Sequence, residues 1–431
     1  MLDIRLIREH TEVVRKDLKK RRDSEKLIWL TEVVKLDKEW RELKQKIDEK
    51  RHERNAISEE INKLKKGGGD INEQIKRVKD IPKEIDELED REKHTKEKID
   101  FYLMRLPNIL HESVPFGKDS NENVIIKKCG NIKKQRFELR SNGELIEQLG
   151  AGDFKKASEV SGAGFYYLFD ELALLNQALM QFAIDSLRKK GFKFVIPPLM
   201  LRRKPYECVT DLADFEKVMY KIDSEDLYMI ATSEHPIGAL FMNELLEEKD
   251  LPIKIVGMSP CFRKEIGSHG VDTRGLFRVH QFWKVEQFIF SHPKDSWKHH
   301  EELQKNSELL YQKLKIPYRV VNICTGDIGS VAAKKYDIEA WFPRQDKYGE
   351  VGSNSNCTDY QARRLNIRFI NKKGEKEFVH TLNNTALATS RTIVAILENY
   401  QQKDGGIKIP SVLHKYMGGF KELSGDKKRL R

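Results

Sequence analysis

The chain predicts an α+β protein, with an N-terminal antiparallel helical hairpin, a coiled-coil arm, followed by an antiparallel β-sheet domain flanked by helices. Three observations predict it. Apolar residues recur at steps of three and four through residues 27–105, interrupted by Gly67-Gly68-Gly69. From residue 192 onward, short segments rich in β-branched and aromatic residues alternate with turn signals. No GxGxxG or GxxxxGK[ST] stands where a doubly wound nucleotide-binding fold places it.

Composition bounds the rest. At 431 residues and 39% hydrophobic content, the chain is long enough for two to three domains with a normal buried core. No apolar run approaches the roughly 20 residues of a membrane span. The start MLDIRLIREH is charged from its third residue, unlike a secretory signal, so the expected location is cytoplasmic. Cys129, Cys208, Cys261, Cys324 and Cys357 are odd in number and never spaced CxxC, which argues for reduced thiols and against a structural zinc site. A net charge of +11 permits a polyanionic partner without locating one.

In the arm, Val33, Leu36, Trp40, Leu43 and Ile47 form a heptad seam that continues through Lys50 and Arg54 to Ile57, Ile61 and Leu64. The three glycines stop it, and a second pattern runs through Ile71, Ile75, Val78, Ile81, Ile85, Leu88, Ile99 and Tyr102. Pairing the two stripes is the natural closure. Pro82 removes a backbone donor, so the returning helix is expected to kink or restart there. A first helix of about 30 residues would reach on the order of 45 Å.

Three domains are expected: the arm over 1–110, a linker and entry over 111–165, and the sheet domain over 166–431. In the last, a helix is predicted over 171–190 and strands over 192–196, 227–230, 253–258, 261–264, 278–290, 318–323, 338–342 and 367–369, without regular intervening helices. A further helix is expected over 392–400.

Four stretches can carry chemistry. Phe262-Arg263-Lys264-Glu265, a loop over 266–275 containing Gly267, Gly270 and Gly275, and the segment ending at Glu286 read as a hairpin. Arginine offers a planar fork to phosphate oxygens and glutamate accepts from an amino group. The alternative is a surface hairpin carrying ion pairs. Thr232-Ser233-Glu234 follows a strand and opens a helix, as a helix cap or as the subsite of a small substrate with an ammonium group. Residues 349–359 form a polar loop in which a carboxylate suits Mg²⁺ bridging phosphates, or nothing at all. Arg391, near a helix start, suits a terminal phosphate or an ordinary ion pair.

Together these pieces resemble the class II aminoacyl-tRNA synthetases, with Gly191 to Pro198 as motif 1, the Phe262 hairpin as motif 2 and Leu382 to Tyr400 as motif 3. The resemblance is to the seryl-tRNA synthetase family. It is carried by Thr232-Ser233-Glu234, by TRGLFRVHQF at 273–282, by SNCTDYQARR at 355–364 and by AILENYQ at 395–401, and it extends over nearly the whole chain.

The resemblance implies a homodimer whose sheet of roughly six to seven antiparallel strands holds a bent ATP. The implied reaction is AMP-forming, ATP-dependent ligation of L-serine to tRNA(Ser), with tRNA(Sec) as a further candidate. Serine would be held by Thr232, Ser233, Glu234, Glu286, Asn383 and Thr385, with Glu286 on the amino group. ATP would be held by Arg263, Lys264, Glu265, Val279, Glu350, Val351, Gly352, Ser353 and Arg391, with Glu350 also reaching Mg²⁺ through ATP. The arm would present Lys50, Arg51, Arg54, Lys63, Lys65 and Lys66 to tRNA, against the alternative of a solvated coiled-coil face. Gly352 and Asn354 stand where many members have Ser and Cys, and Asn384 where many have Gly, which leaves local pocket details open. Two rivals remain: an aminoacyl-carrier-protein ligase, which lacks such an arm, and an inactive RNA-binding relative, against which Arg263, Glu286, Glu350 and Arg391 argue.

Overall fold

The computed structural model describes residues 1–211, 215–265 and 275–424. Most of the glycine loop predicted over 266–275, and the basic residues 427–431, lie outside that set. The chain divides into two compact units, Met1–Pro107 and Asn108–Arg431.

The first unit is helical: α1 (Ile4–Glu9), α2 (Thr11–Lys20), α3 (Ser24–Lys66), α4 (Asn72–Lys79) and α5 (Ile81–Leu103). Val33, Leu36, Leu43, Ile47 and Ile57 of α3 are buried, as the stepping of three and four requires. Ile81, Ile85, Ile99 and Leu103 of α5 are buried as well, and Ile57 clusters with Ile81 and Ile85. The expected length of α3 falls short, because its 43 residues make it about 65 Å long at ~1.5 Å per residue. At the turn, Gly69 N donates to Leu64 O at 2.9 Å while Gly68 takes a φ of +72° that side chains disfavour. The returning helix restarts after Asp80 with Pro82 in its first turn, where a missing N–H costs nothing. Asp37, almost fully buried, is held by a two-point contact from Arg8 at 2.7 and 2.8 Å.

The second unit is built on an eight-stranded sheet. Its strands are β1 (Val124–Cys129), β2 (Lys193–Val195), β3 (Ile253–Phe262), β4 (Gln281–Ser291), β5 (Tyr318–Asn322), β6 (Lys334–Phe342), β7 (Lys347–Asn356) and β8 (His380–Ala388), in the order β1-β5-β6-β7-β8-β4-β3-β2. Neighbours are antiparallel except β2 with β3, which run parallel. The sheet is therefore wider than expected and mixed at one edge. Against one face pack α6 (Asp170–Arg188), α7 (Ser296–Leu314) and α8 (Thr389–Tyr400), burying Leu179, Leu187, Leu310, Val394 and Leu397 against Val285, Ile289 and Leu382. Each such side chain contributes about 1.5–3 kcal/mol on transfer from water.

Several expected elements differ. The segments 253–258 and 261–264 run together in one strand that ends at Phe262, and α7 is a regular helix between β4 and β5 where none was foreseen. The polar loop of 349–359 is mostly strand β7, near the middle of the sheet, and the lead-in to the last helix is strand β8. Strand β4 shows why this matters. Its odd positions Val285, Gln287 and Ile289 turn to the helices, so its even positions Phe282, Lys284 and Glu286 face the other side.

Ile85→Ala, at a position 5% exposed in the α3–α5 seam, is expected to lower the free energy of unfolding of the helical unit by about 2–3 kcal/mol. Urea denaturation followed by circular dichroism measures it; an unchanged midpoint contradicts the seam assignment.

Candidate active site

The even face of β4, the facing positions of β7 and β8, and the segments flanking them enclose a cavity of about 480 Å³. Of the residues predicted for the site, Thr232, Glu234, Arg263, Glu265, Val279, Glu286, Glu350, Val351, Gly352, Ser353, Asn383, Thr385 and Arg391 all line it. Ser233 and Lys264 do not. Ser233 is fully buried behind the turn, its hydroxyl without a hydrogen-bond partner. Lys264 is tied by its backbone N–H to Val218 O at 3.0 Å, its ammonium 5.9 Å from the Tyr220 ring.

Register places the inner end. Glu286 on β4 pairs with Thr385 on β8 on one side and with Gly257 on β3 on the other. A side chain at Gly257 would come within 2.3 Å of Ile237 Cδ1 and 3.0 Å of Ser233 Oγ, so bare backbone is what lets the Thr232–Glu234 turn sit on the sheet. That turn opens the short helix Glu234–Gly238. Ser233, at the cap position, makes no capping bond; the Thr232 hydroxyl accepts from Glu234 N at 3.2 Å.

Charges at this end are closely set. Lys284 Nζ lies 2.7 Å from Glu286 Oε2, and the Thr385 hydroxyl donates to the same oxygen at 3.2 Å. Burial pushes the Glu234 carboxyl up to about 7, with Glu286 adding repulsion and Lys284 partly opposing it. His235 is held neutral, near 3, by burial beside Lys284 and Arg263. Asn383 Nδ2 approaches Cys357 Sγ at 3.8 Å, and both line the same end.

The outer end is cationic and more open. Arg391, in the first turn of α8, donates to Glu350 O at 2.7 Å and lies 3.3 Å from Glu350 Oε2. Loss of some surrounding water opposes ionisation of Glu350, but Arg391, Lys335 and Arg263 hold its carboxyl down at about 2. The Ser353 hydroxyl donates to Glu350 Oε1 at 3.2 Å. Glu350 remains 46% exposed, so its oxygens and that of Ser353 form a hard oxygen donor set able to take a divalent cation that keeps waters and substrate oxygens. Val279 and Phe282 line the cavity with apolar surface, and the Arg263 guanidinium stands 5.2 Å from the Phe282 ring centroid.

Sequence reasoning missed Lys284, Phe282, Arg278 and Lys335, all lining the cavity. The signal for Lys284 and Phe282 was present in the strand period: both lie two or four positions from Glu286 and share its face. Lys335 pairs with Asp337 at 3.3 Å, an i,i+2 contact on one strand face. Of the arm residues, Lys50 pairs with Glu84 at 2.8 Å and Arg51 with Glu89 at 2.7 Å, both across the hairpin. Arg54 is half-buried, and Lys63, Lys65 and Lys66 are exposed in the last turn of α3. No helix among the described residues is long and apolar enough to cross a membrane.

The family described as "Seryl-tRNA synthetase N-terminal domain" matches residues 1–110, and that described as "tRNA synthetase class II core domain (G, H, P, S and T)" matches 217–400. Serine–tRNA ligase of Methanocella arvoryzae is 56% identical over 425 residues, covering 98% of this chain and 100% of that protein. Serine–tRNA ligase of Pyrococcus horikoshii is 53% identical over 452 residues, covering 100% and 99%. Among solved structures, seryl-tRNA synthetase from Pyrococcus horikoshii complexed with ATP superposes with a TM-score of 0.95 at 52% identity, covering 99% of this chain and 100% of that one. Cytoplasmic serine–tRNA ligase from Naegleria fowleri in complex with AMP gives 0.90 at 36%, covering 99% of each.

A carboxyl whose folded pKa lies above its unfolded value adds stability that is fully present below the unfolded pKa and lost as pH rises through the folded one. For Glu234 that window runs from about 4.5 to about 7. Glu234→Gln is therefore expected to melt progressively higher than the parent chain as pH rises through that window, with a constant difference above it. Thermal unfolding at a series of pH values measures this; a difference independent of pH contradicts the buried-carboxyl reading.

Proposed function

The chain belongs to the seryl-tRNA synthetase family and is an ATP-dependent aminoacyl-tRNA ligase, and on that premise we propose how its own residues join serine to tRNA(Ser). The observation that carries the proposal is the single cavity shared by Glu234 and Glu286 at one end and by Arg263, Glu350 and Arg391 at the other.

In the first step an oxygen of the serine carboxylate bonds to the α-phosphorus of ATP as the bond to pyrophosphate breaks. This needs alignment and charge neutralisation more than a protein base. Glu286 accepts from the serine ammonium, Thr232, Glu234, Asn383 and Thr385 complete the subsite, and Arg263 neutralises the α-phosphate. Glu265 accepts from the adenine amino group, and Val279 and Phe282 give the base its apolar walls. Arg391 holds the γ-phosphate, and Val351, Gly352 and Ser353 line the nucleotide. Mg²⁺ held by Glu350 and Ser353 would supply further neutralisation of phosphate charge. In the second step a ribose hydroxyl at the tRNA 3′ end attacks the adenylate carbonyl, and AMP leaves. Hydrogen bonds to the serine hydroxyl set selectivity, since a polar site rejects analogues that lack the partner group.

The arm reads tRNA by shape, through phosphates and sugars. Lys63, Lys65 and Lys66, exposed at the α3 turn, suit such contacts better than Lys50 and Arg51, which already pair within the hairpin. Shape reading extends the proposal to tRNA(Sec). Exposed Val124, Ile125 and Ile126 on edge strand β1 favour a homodimer. Five free thiols suit a reducing cytoplasm.

Serine-dependent ATP–pyrophosphate exchange, followed by charging of tRNA, tests the proposal; exchange without charging supports a carrier-protein ligase instead, and absence of exchange supports an inactive relative. Arg263→Ala is expected to lower exchange by about 10²–10³-fold. Deleting residues 58–82 is expected to leave exchange intact while raising the KM for tRNA at least about tenfold, because phosphate contacts supply much of the affinity.

A further inference from the structure

Two carboxyls, Glu234 and Glu286, face one small cavity, and both cannot comfortably be charged in the absence of a cation. The surrounding groups set the field that both of them meet. His235 is kept neutral by burial, and burial likewise keeps the Cys261 and Cys357 thiols and the Tyr206 phenol protonated. The nearby cations are Lys284, on the same strand as Glu286, and Arg263, beyond the end of β3. Among the described residues, the cation in contact with Glu286 is Lys284, at 2.7 Å, with side chains 7% and 1% exposed. The same ammonium reaches the Thr385 hydroxyl at 3.4 Å. Lysine and hydroxyl both use Oε2 of Glu286, which leaves the other oxygen for a ligand.

We propose that Lys284 is a positioning residue of the serine subsite. By holding one oxygen of Glu286 in a buried ion pair, it fixes and aims that carboxylate and leaves its other oxygen to the substrate ammonium beside Glu234. The inference rests on the reading of this cavity end as the serine subsite. Lys284 acts through Glu286 and takes no part in bond making. Its alternation with Phe282 and Glu286 on the cavity face of β4 makes the pairing a consequence of strand geometry.

The test is the pH dependence of the serine KM in ATP–pyrophosphate exchange, from pH 6 to 8.5, for the parent chain, Lys284→Met and Lys284→Arg. In the parent, serine KM is expected to rise as pH falls below about 7, where Glu234 takes up its proton. In Lys284→Met the two carboxyls repel without a cation between them. The acid limb is expected to move up by about one pH unit, and serine KM at pH 7.5 to rise about tenfold, with ATP KM within about twofold. Lys284→Arg keeps the charge and is expected to keep the limb in place. An unmoved limb in Lys284→Met overturns the proposal, as does a parallel rise of serine and ATP KM. If circular dichroism shows Lys284→Met unfolded, the arginine variant carries the test, and a shifted limb there overturns it. A parent chain without serine-dependent exchange refutes the reading of the subsite instead, so the two failures are distinguishable.

Discussion

A carboxylate as buried as Glu286 needs partners to replace the water it has lost, and Lys284 and Thr385 supply them through a single oxygen. Neither partner is adjacent to Glu286 by accident. Lys284 is two positions away on the same pleated strand, and Thr385 is its register partner on the neighbouring one. A slip of one residue between β4 and β8 would turn Glu286 out of the cavity toward the helix layer, carry Val285 and Ile289 out of that layer, and break the pairing of Glu286 with Thr385. The site thus depends on sheet register, and register depends on the apolar odd face of β4 packing on the helices.

The two ends of the cavity use opposite electrostatics. At the inner end, carboxyls outnumber cations and one of them is driven toward neutrality, which is a suitable resting state for a pocket awaiting a small ammonium ion. At the outer end, Arg391, Lys335 and Arg263 hold Glu350 fully ionised, a state suited to a polyphosphate with its metal ion. A molecule with a cationic head and an anionic tail fits that gradient in one orientation.

Much of this was legible in the residues, and what was not has a physical cause. The arm seam and the restart at Pro82 follow from period and proline chemistry alone, since each depends on neighbours within a few turns. Strand β7 was hidden because its sequence, Gly349-Glu350-Val351-Gly352-Ser353-Asn354-Ser355, is polar on both faces. One face lines a cavity, and the other bonds to a helix, with Asn354 Nδ2 donating to His300 O at 2.9 Å. Tertiary context overrides propensity there. Helix α7 was missed for a related reason. Its buried positions include His300 and Gln304, and Asn306 and Ser307, which bond to Gln287 on β4 and Thr385 on β8, so the apolar stripe that marks a helix is broken. Lys284 and Phe282 belong to no motif of their own; only their place on one strand face, two and four positions from Glu286, marks them.

The account stands on one claim, that the carboxyls of the inner end and the guanidiniums of the outer end act on a single bound molecule. A crystal structure of this chain with a non-hydrolysable sulfamoyl analogue of seryl-adenylate measures that claim directly. The account predicts the serine ammonium within hydrogen-bond distance of Glu286, the sulfamoyl group against Arg263 and the adenine between Val279 and Phe282. An analogue bound elsewhere, or one whose ammonium points away from Glu286 and Glu234, contradicts it.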